Sequence, residues 1–237
     1  MELRALIFDV DGTLAETEEA HRAAFNDTFT AWGLGWHWTR EDYAELLKTT
    51  GGKERIKRFQ SDLPLTGQLS DTQIAKLHAE KTQAYVNILA RGDLELRPGV
   101  RELIKAARRS GLRVAVATTT NLPNVDALVR CCWGISGEEV FEVIAAGDQV
   151  KAKKPAPDVF QLALDRLGLP AKECLAFEDS RNGVLSARGA GLRVLVTPSA
   201  YTAGDDFSGA DWVIPDLTHE NLPMLLASAV AAPVGYH

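Results

Sequence analysis

The chain has 237 residues, enough for one or two domains with a sizeable buried core. Hydrophobic residues make up 46% of it and charged residues 24%, values typical of a folded globular protein rather than a disordered one. The formal net charge of -6 argues against nucleic acid or an anionic membrane as the main partner, because both attract basic surfaces.

Short apolar runs alternate with helical patterns along most of the chain. The predicted strands are, in chain order, RALIFDV, RVAVATTT, FEVIAAG, ECLAFED, RVLVTP and DWVIP. Helical segments with apolar residues three to four apart and a glycine near the end are VRELIKAARRSG, PNVDALVRCCWG, PDVFQLALDRLG and NGVLSARGAG. This alternation indicates βαβ units. We therefore predict an α/β fold with a Rossmann-like, doubly wound parallel sheet, covered by helices on both faces.

Residues 16–92 break this alternation. They contain no strand-like run, and their helical patterns are EEAHRAAFNDTFTAWG, REDYAELLKTTGG and SDTQIAKLHAEKTQAYVNILARG. We predict that residues 16–92 form an inserted all-helical cap domain, joined by two hinges to a catalytic core of residues 1–15 and 93–237. The C-terminal stretch LLASAVAAPVGYH is typical of a fraying helix end.

Polar side chains follow four of the predicted strands, where ligands bind in a doubly wound sheet. They are, in chain order, Asp9, Asp11, Thr118, Lys154, Glu178 and Asp179. Residues i and i+2 of an extended chain point to one side, so we expect the first two aspartates to share a side. Because the carboxyl ends of parallel strands meet at one edge, we expect all six side chains to gather there.

The chemistry of these side chains indicates phosphoryl transfer. Four carboxylates repel one another unless a cation lies among them, and hard oxygen ligands suit Mg²⁺. The hydroxyl of Thr118, the backbone N–H groups of the adjacent turn and the ammonium of Lys154 suit phosphate oxygens. A metal site, a phosphate cradle and a spare carboxylate together predict phosphoryl transfer.

The segments FDVDGTL, VATTTN, KKPAPDVF and FEDSRNGVLSARGAG, in that order, resemble the four motifs of the haloacid dehalogenase superfamily of phosphohydrolases. The resemblance covers nearly the whole chain. A helical insertion straight after the first motif is similar to the cap of the β-phosphoglucomutase-like branch. Within that branch, ETEEAHRAAFN and TTGGKERI resemble the CbbY-type phosphatases encoded with Calvin-cycle genes.

The resemblance implies roles for the carboxylates. Asp9 would be the nucleophile that forms an aspartyl-phosphate, and Asp11 would protonate the leaving sugar oxygen and later deprotonate water. Asp9, Asp179 and the backbone carbonyl of Asp11 would hold Mg²⁺, and Glu178 would orient a metal-bound water.

The other core motifs would hold the phosphoryl group and the substrate. Thr118 and Lys154 would bind the transferring phosphoryl group, and Thr119 and Asn121 would contact the substrate beside it. Many relatives have serine at the position of Thr118, and threonine keeps the hydroxyl that this role needs.

The cap would select the substrate. TGGKERIKRF places two glycines before Lys53, Arg55, Lys57 and Arg58, a set of cations suited to a second phosphate, although such a charge run is also typical of a solvated helix face. Candidate substrate contacts in the cap are Glu18, His21, Gly51, Gly52, Lys53, Glu54, Arg55, His78 and Lys81. The resemblance implies a small-molecule sugar bisphosphate: xylulose-1,5-bisphosphate, an inhibitor of Rubisco, or the related ribulose bisphosphate.

Two alternatives stay open at this point. A sugar phosphomutase shares every core residue but would require a bisphosphate primer. A non-catalytic sensor would bind a phosphorylated ligand, but binding alone does not need a nucleophile with its own acid.

Cysteine usage and the N-terminus favour a cytoplasmic protein, and we separately expect a monomer. Cys131, Cys132 and Cys174 fit neither a disulfide framework nor a CxxC metal site, so we expect free thiols. The first residues enter a strand-like run directly, without the pattern of a signal peptide, and no stretch approaches the ~18 apolar residues of a membrane span. We expect neither a membrane nor a nucleic-acid partner.

Overall fold

A six-stranded parallel sheet forms the centre of the computed structural model, which describes residues 2–231. The strands are β1 (Ala5–Phe8), β2 (Arg113–Ala117), β3 (Val143–Ala145), β4 (Cys174–Glu178), β5 (Arg193–Val196) and β6 (Trp212–Val213). Their order in the sheet is β3-β2-β1-β4-β5-β6, and every neighbouring pair is parallel. The predicted α/β fold and all six predicted strands are confirmed, with each strand shorter than its apolar pattern.

Helices flank the sheet and fill the stretch that has no strand. In chain order they are α1 (Glu18–Ala31), α2 (Arg40–Leu47), α3 (Gly52–Gln60), α4 (Asp71–Leu89), α5 (Val100–Arg109), α6 (Leu122–Trp133), α7 (Gly137–Val140), α8 (Asp158–Leu167), α9 (Arg181–Gly189) and α10 (Met224–Ala231). The end of α10 coincides with the tail predicted as a fraying helix end, and residues 232–237 of that tail lie outside the described residues.

Both faces of the sheet are buried, as parallel strands require. Along β1, Leu6 and Phe8 pack into one apolar cluster, and Ala5 and Ile7 pack into a second. The ring of Phe8 stacks on Phe177 of the neighbouring strand, with 4.3 Å between centroids. Because the faces are apolar, polar side chains of the central strands can reach solvent or a ligand only at the strand ends.

The helical insertion has an apolar cluster of its own. Phe25, Trp38, Tyr43 and Ile56 are fully buried in it, and the tilted and edge-on rings around Trp38 fill its centre. Its helices begin at defined residues: α2 and α4 each start with a capping box, in which a hydroxyl and a polar side chain three residues later satisfy free backbone N–H groups. The division of the chain into core and cap stays a prediction, which this separate cluster supports.

The two crossings between the sheet and the insertion lie side by side. Ala15, after β1, forms isolated bridges with Asp11 and with Leu96, which lies beyond α4. Arg97 donates a hydrogen bond from its backbone N–H to Leu14 O, at 2.8 Å. The chain therefore leaves and re-enters the sheet layer at one place, directly after Asp11.

The remaining sequence expectations concern thiols and membranes. All three cysteines are free, with Cys174 buried and Cys131 and Cys132 half-buried. Within residues 2–231, no helix is both long and apolar enough to cross a membrane.

Replacing Phe177 with alanine removes the stacked pair at the centre of the sheet. We expect Phe177→Ala to lower the free energy of unfolding by about 3–5 kcal/mol, because a large buried ring leaves a cavity. Urea unfolding followed by circular dichroism measures this loss. Leu65→Ala is the matched control, since Leu65 is 84% exposed, and should change stability by less than about 0.5 kcal/mol. Equal losses in both variants would contradict this description of the core.

Candidate active site

One buried lysine holds two buried carboxylates at the carboxyl ends of the central strands. Asp9 directly follows β1, Glu178 is the last residue of β4, and the backbone N–H of Asp9 donates to Phe177 O at 2.9 Å. Lys154 Nζ lies 2.6 Å from Asp9 Oδ1, 2.6 Å from Glu178 Oε1 and 3.0 Å from Ala117 O. The three donors of the ammonium group are thereby all used.

This lysine does not neutralise the whole acidic cluster. Asp9, Glu178 and Asp179 each place a carboxylate oxygen within 4.8 Å of the others, and all three are buried. Burial raises the pKa of Asp9 well above its usual range despite Lys154, and burial together with Glu178 raises the pKa of Asp179 to about 8. Three buried oxygen donors with too little positive charge fit a hard divalent cation.

Glycine is required where the loop after β1 passes the cluster. Gly12 has a φ of +82°, a backbone conformation that residues with a side chain rarely adopt. A Cβ atom there would lie 2.2 Å from Asp179 Oδ2. Gly12 therefore allows the side chain of Asp179, which directly follows β4, to approach the backbone beside Asp9 and Asp11.

Asp11 is held by the insertion rather than by the acidic cluster. Thr17 Oγ1 donates to Asp11 Oδ1 at 2.6 Å, and His21 Nε2 lies 3.1 Å from the same oxygen. His21 Nδ1 lies 2.6 Å from Lys81 Nζ, and the imidazole stacks on Tyr85 at 3.9 Å. Because the ionised carboxylate of Asp11 only accepts, Nε2 of the neutral imidazole donates to it, and Nδ1 accepts from Lys81. Asp11 lies outside the cluster of three carboxylates but lines the same cavity as Asp9 and Asp179.

The pKa values of Asp11, His21 and Lys81 depend on one another. Burial raises the pKa of Asp11, but His21 and Thr17 outweigh it and hold that pKa below its usual value. Burial and Lys81 lower the pKa of His21. Burial and the nearby Arg55 lower the pKa of Lys81 to about 7. The carboxylate of Asp11 is therefore ionised in this arrangement and accepts from both partners.

A second series of hydrogen-bonded side chains lies within the insertion. Tyr43 OH donates to Glu18 Oε2 at 2.8 Å and accepts from Arg55 Nη1 at 2.9 Å. The guanidinium of Arg55 also lies over the Tyr43 ring, 5.1 Å from its centroid. Neither Tyr43 nor Thr17 is singled out by the sequence, because no spacing or motif distinguishes either from an ordinary helix or hinge residue.

The loop after β2 carries the predicted hydroxyl and amide groups. Thr118 is buried, and its hydroxyl accepts from the Thr120 backbone N–H at 3.2 Å. Asn121 caps α6 by accepting from the Asn124 N–H at 3.0 Å, and its amide donates to Thr82 Oγ1 of α4 at 3.2 Å. This loop thus presents a helix N-terminus and also contacts the insertion.

A cavity of about 1180 Å³ lies between this sheet edge and the insertion. Every site residue predicted from the sequence lines it except Thr118 and Glu178, which are buried behind other contacts. The phosphate role predicted for Thr118 and the water-orienting role predicted for Glu178 stay predictions.

Two of the four cations in the charge run on α3 lie outside the cavity and form local ion pairs. Lys57 Nζ lies 2.7 Å from Asp71 Oδ1, and Arg58 Nη1 lies 2.8 Å from Asp62 Oδ2. Both side chains are about half exposed, and neither lines the cavity. Lys53 and Arg55 do line it. The second half of the charge run is a solvated helix face with local ion pairs.

Residues 3–191 match the haloacid dehalogenase-like hydrolase family. The CbbY protein of Rhodobacter capsulatus is 62% identical over 218 residues, which cover 92% of this chain and 95% of the relative. A crystal structure of CbbY from Rhodobacter sphaeroides in complex with phosphate has a TM-score of 0.87 and 52% identity, covering 91% of this chain and 95% of that one. A mutant of the same protein in complex with xylulose-1,5-bisphosphate gives the same values.

Removing the central ammonium should destabilise the metal-free protein strongly. We expect Lys154→Met to lower the free energy of unfolding by about 3–5 kcal/mol in chelator-containing buffer, because two buried carboxylates lose their partner. Urea unfolding measures the change. In the control Lys151→Met, an exposed lysine of the same loop is lost, and the change should stay within about 0.5 kcal/mol. A loss no larger than the control's would show that Lys154 does not offset the buried charge.

Proposed function

The chain belongs to the haloacid dehalogenase-like hydrolase family and is a phosphatase, and we propose that it hydrolyses xylulose-1,5-bisphosphate to xylulose-5-phosphate and phosphate. One observation carries the proposal: the cavity joins the carboxylate of Asp9 to cations of the insertion, among them Lys53 and Arg55. A sugar with a phosphate at each end matches that distribution of charge. The complex of the Rhodobacter sphaeroides protein with this bisphosphate supports the choice of sugar.

Asp9 is the proposed nucleophile. Lys154 holds its Oδ1, which leaves Oδ2 free to attack phosphorus. A bond forms between Asp9 and phosphorus while the bond from phosphorus to the sugar oxygen breaks, giving an aspartyl-phosphate. Water then attacks the same phosphorus, releases phosphate and regenerates the carboxylate.

Asp11 is the proposed general acid and base. Thr17 and His21 both contact its Oδ1, so its Oδ2 is free to protonate the leaving sugar oxygen and later to accept a proton from the attacking water. Without substrate the pKa of Asp11 lies below its usual value. The proton of the first step therefore depends on the incoming phosphate, whose negative charge favours the protonated acid.

The oxygen donors beside Asp9 suit Mg²⁺. The carboxylates of Asp9 and Asp179 and the backbone carbonyl of Asp11 would hold it, and Glu178 would orient a water on it. When bound, the ion supplies positive charge to the phosphoryl oxygens and to the acidic cluster that Lys154 leaves partly unneutralised.

The remaining predicted contacts would bind the rest of the substrate. Lys53, Arg55 and the backbone at Gly51 and Gly52 are proposed for the second phosphate. Sugar contacts are proposed for Glu18, His21, His78, Lys81, Thr119 and Asn121. Action as a cytoplasmic monomer stays a prediction from the sequence.

The proposal is tested by phosphate release from a panel of pentulose and hexose mono- and bisphosphates. We expect release from xylulose-1,5-bisphosphate that requires Mg²⁺, stops with a chelator and exceeds release from ribulose-1,5-bisphosphate and from all monophosphates. Family membership argues against the sensor, and a mutase would form an isomer only with a bisphosphate primer. Isomer formation without steady phosphate release, or preference for a monophosphate, would contradict the proposal.

A further inference from the structure

An ion pair joins the insertion to the core at the cavity. Lys153 Nζ lies 3.6 Å from Glu54 Oε2. Lys153 belongs to the core loop that carries Lys154, and Glu54 lies in the first turn of α3. Both residues line the cavity, with the lysine side chain 22% exposed and the glutamate side chain 45% exposed. A partly exposed pair at 3.6 Å contributes little to stability, so it can open when a stronger anion arrives.

The pair lies directly against the start of α3. A Cβ atom on Gly51 would lie 2.2 Å from Glu54 Oε2 and 2.9 Å from Lys153 Cδ, and Gly51 has a φ of +100°. Only a glycine therefore lets the carboxylate and the lysine stem close over this turn. The Glu54 carboxylate occupies a place where negative charge is favoured by both the ammonium and the helix start.

An uncharged histidine and further lysines lie close to the pair of Lys153 and Glu54. His78 of α4 approaches it so closely that a Cβ atom on Gly52 would lie 2.3 Å from His78 Nε2. Burial, then the positive charges of Lys81, Lys153 and Lys53, lower the pKa of His78 to about 3. The electric field here therefore favours an anion, and Glu54 is the carboxylate that pairs with Lys153.

We infer that Lys153 is a specificity-determining residue that binds the second phosphate of the substrate from the core side, and that Glu54 occupies its ammonium until that phosphate displaces it. The inference rests on the proposed function and deepens it, because it adds a core residue to a site otherwise assigned to the insertion. A phosphate dianion takes over the ammonium of Lys153 and repels the carboxylate of Glu54 towards solvent.

This exchange gives a physical reason for preferring a bisphosphate. Asn182 of α9 also reaches the insertion, donating to Thr50 Oγ1 at 3.0 Å, so the segment before α3 and the first turn of α3 each contact the core. When a bisphosphate is bound, its second phosphate bridges Lys153 of the core and the cations Lys53 and Arg55 of the insertion. A monophosphate has no second phosphate to reach Lys153, so the weaker ion pair between Lys153 and Glu54 remains.

The test compares xylulose-1,5-bisphosphate with xylulose-1-phosphate, the same sugar without the second phosphate, in the full-length enzyme with Mg²⁺. We expect Lys153→Met to raise KM for the bisphosphate about tenfold more than KM for the monophosphate, the factor expected for one charge-assisted hydrogen bond. Lys153→Arg keeps the charge and should recover most of the loss. Lys57→Met, which removes an α3 cation outside the cavity, is the control. Equal rises for both substrates would overturn the inference.

Glu54→Gln supplies the second half of the test. It should lower KM for the bisphosphate about threefold to tenfold, because Lys153 no longer has a competing carboxylate. In a Lys153→Met background the same change should have no such effect. If Glu54→Gln lowers KM for the bisphosphate equally in the Lys153→Met background, the proposed displacement of Glu54 by the second phosphate is wrong. If the wild-type enzyme does not prefer the bisphosphate, the proposed function fails, whatever the variants show.

Discussion

The ammonium of Lys154, shared between Asp9 and Glu178, is the contact on which the rest of the site depends. It makes two carboxylates tolerable at the ends of strands that are buried on both faces, where unpaired charge is very unfavourable. Asp179 accepts a hydrogen bond from the Thr202 hydroxyl at 3.3 Å but has no ion pair within the described part of the chain, which calls for a cation in the same place. Since the ammonium of Lys154 contacts only one oxygen of Asp9, it orients this carboxylate without blocking it. Stability of the sheet edge and positioning of the nucleophile thus have one cause.

The insertion takes part in the chemistry as well as in substrate selection. Asp11 follows the same strand as Asp9, yet its partners Thr17 and His21 belong to the crossing and to α1, and His21 is held in turn by Lys81 of α4. The orientation of the proposed acid therefore depends on how the insertion sits on the core. A substrate that holds the insertion in place at its far end would also hold Asp11 in place at the reacting end.

The sequence predicts the core site well because its residues follow from chain order. Asp9, Lys154 and Asp179 come after strands with clear apolar patterns, and parallel strands bring their carboxyl ends together. The substrate side is harder to predict. Whether Lys53 or Lys57 lines the cavity depends on where α3 begins and which side it buries, and the charge run alone does not specify this.

Contacts between distant segments give no signal in one sequence. Tyr43 and Thr17 become site residues only because the fold places them against Arg55 and Asp11. Thr118 has the predicted hydroxyl, but its burial and its bond to the Thr120 N–H depend on the tight turn after β2. For these residues, packing decides the role.

The central claim is that Asp9 forms a covalent bond to phosphorus. Acid quenching during turnover of xylulose-1,5-bisphosphate, followed by mass spectrometry of the peptides, tests it most directly. The account predicts a phosphoryl group on Asp9 in the wild-type enzyme and none in Asp9→Asn, which should bind the bisphosphate but not turn it over. A phosphoryl group on another residue, or wild-type turnover in Asp9→Asn, would contradict the account.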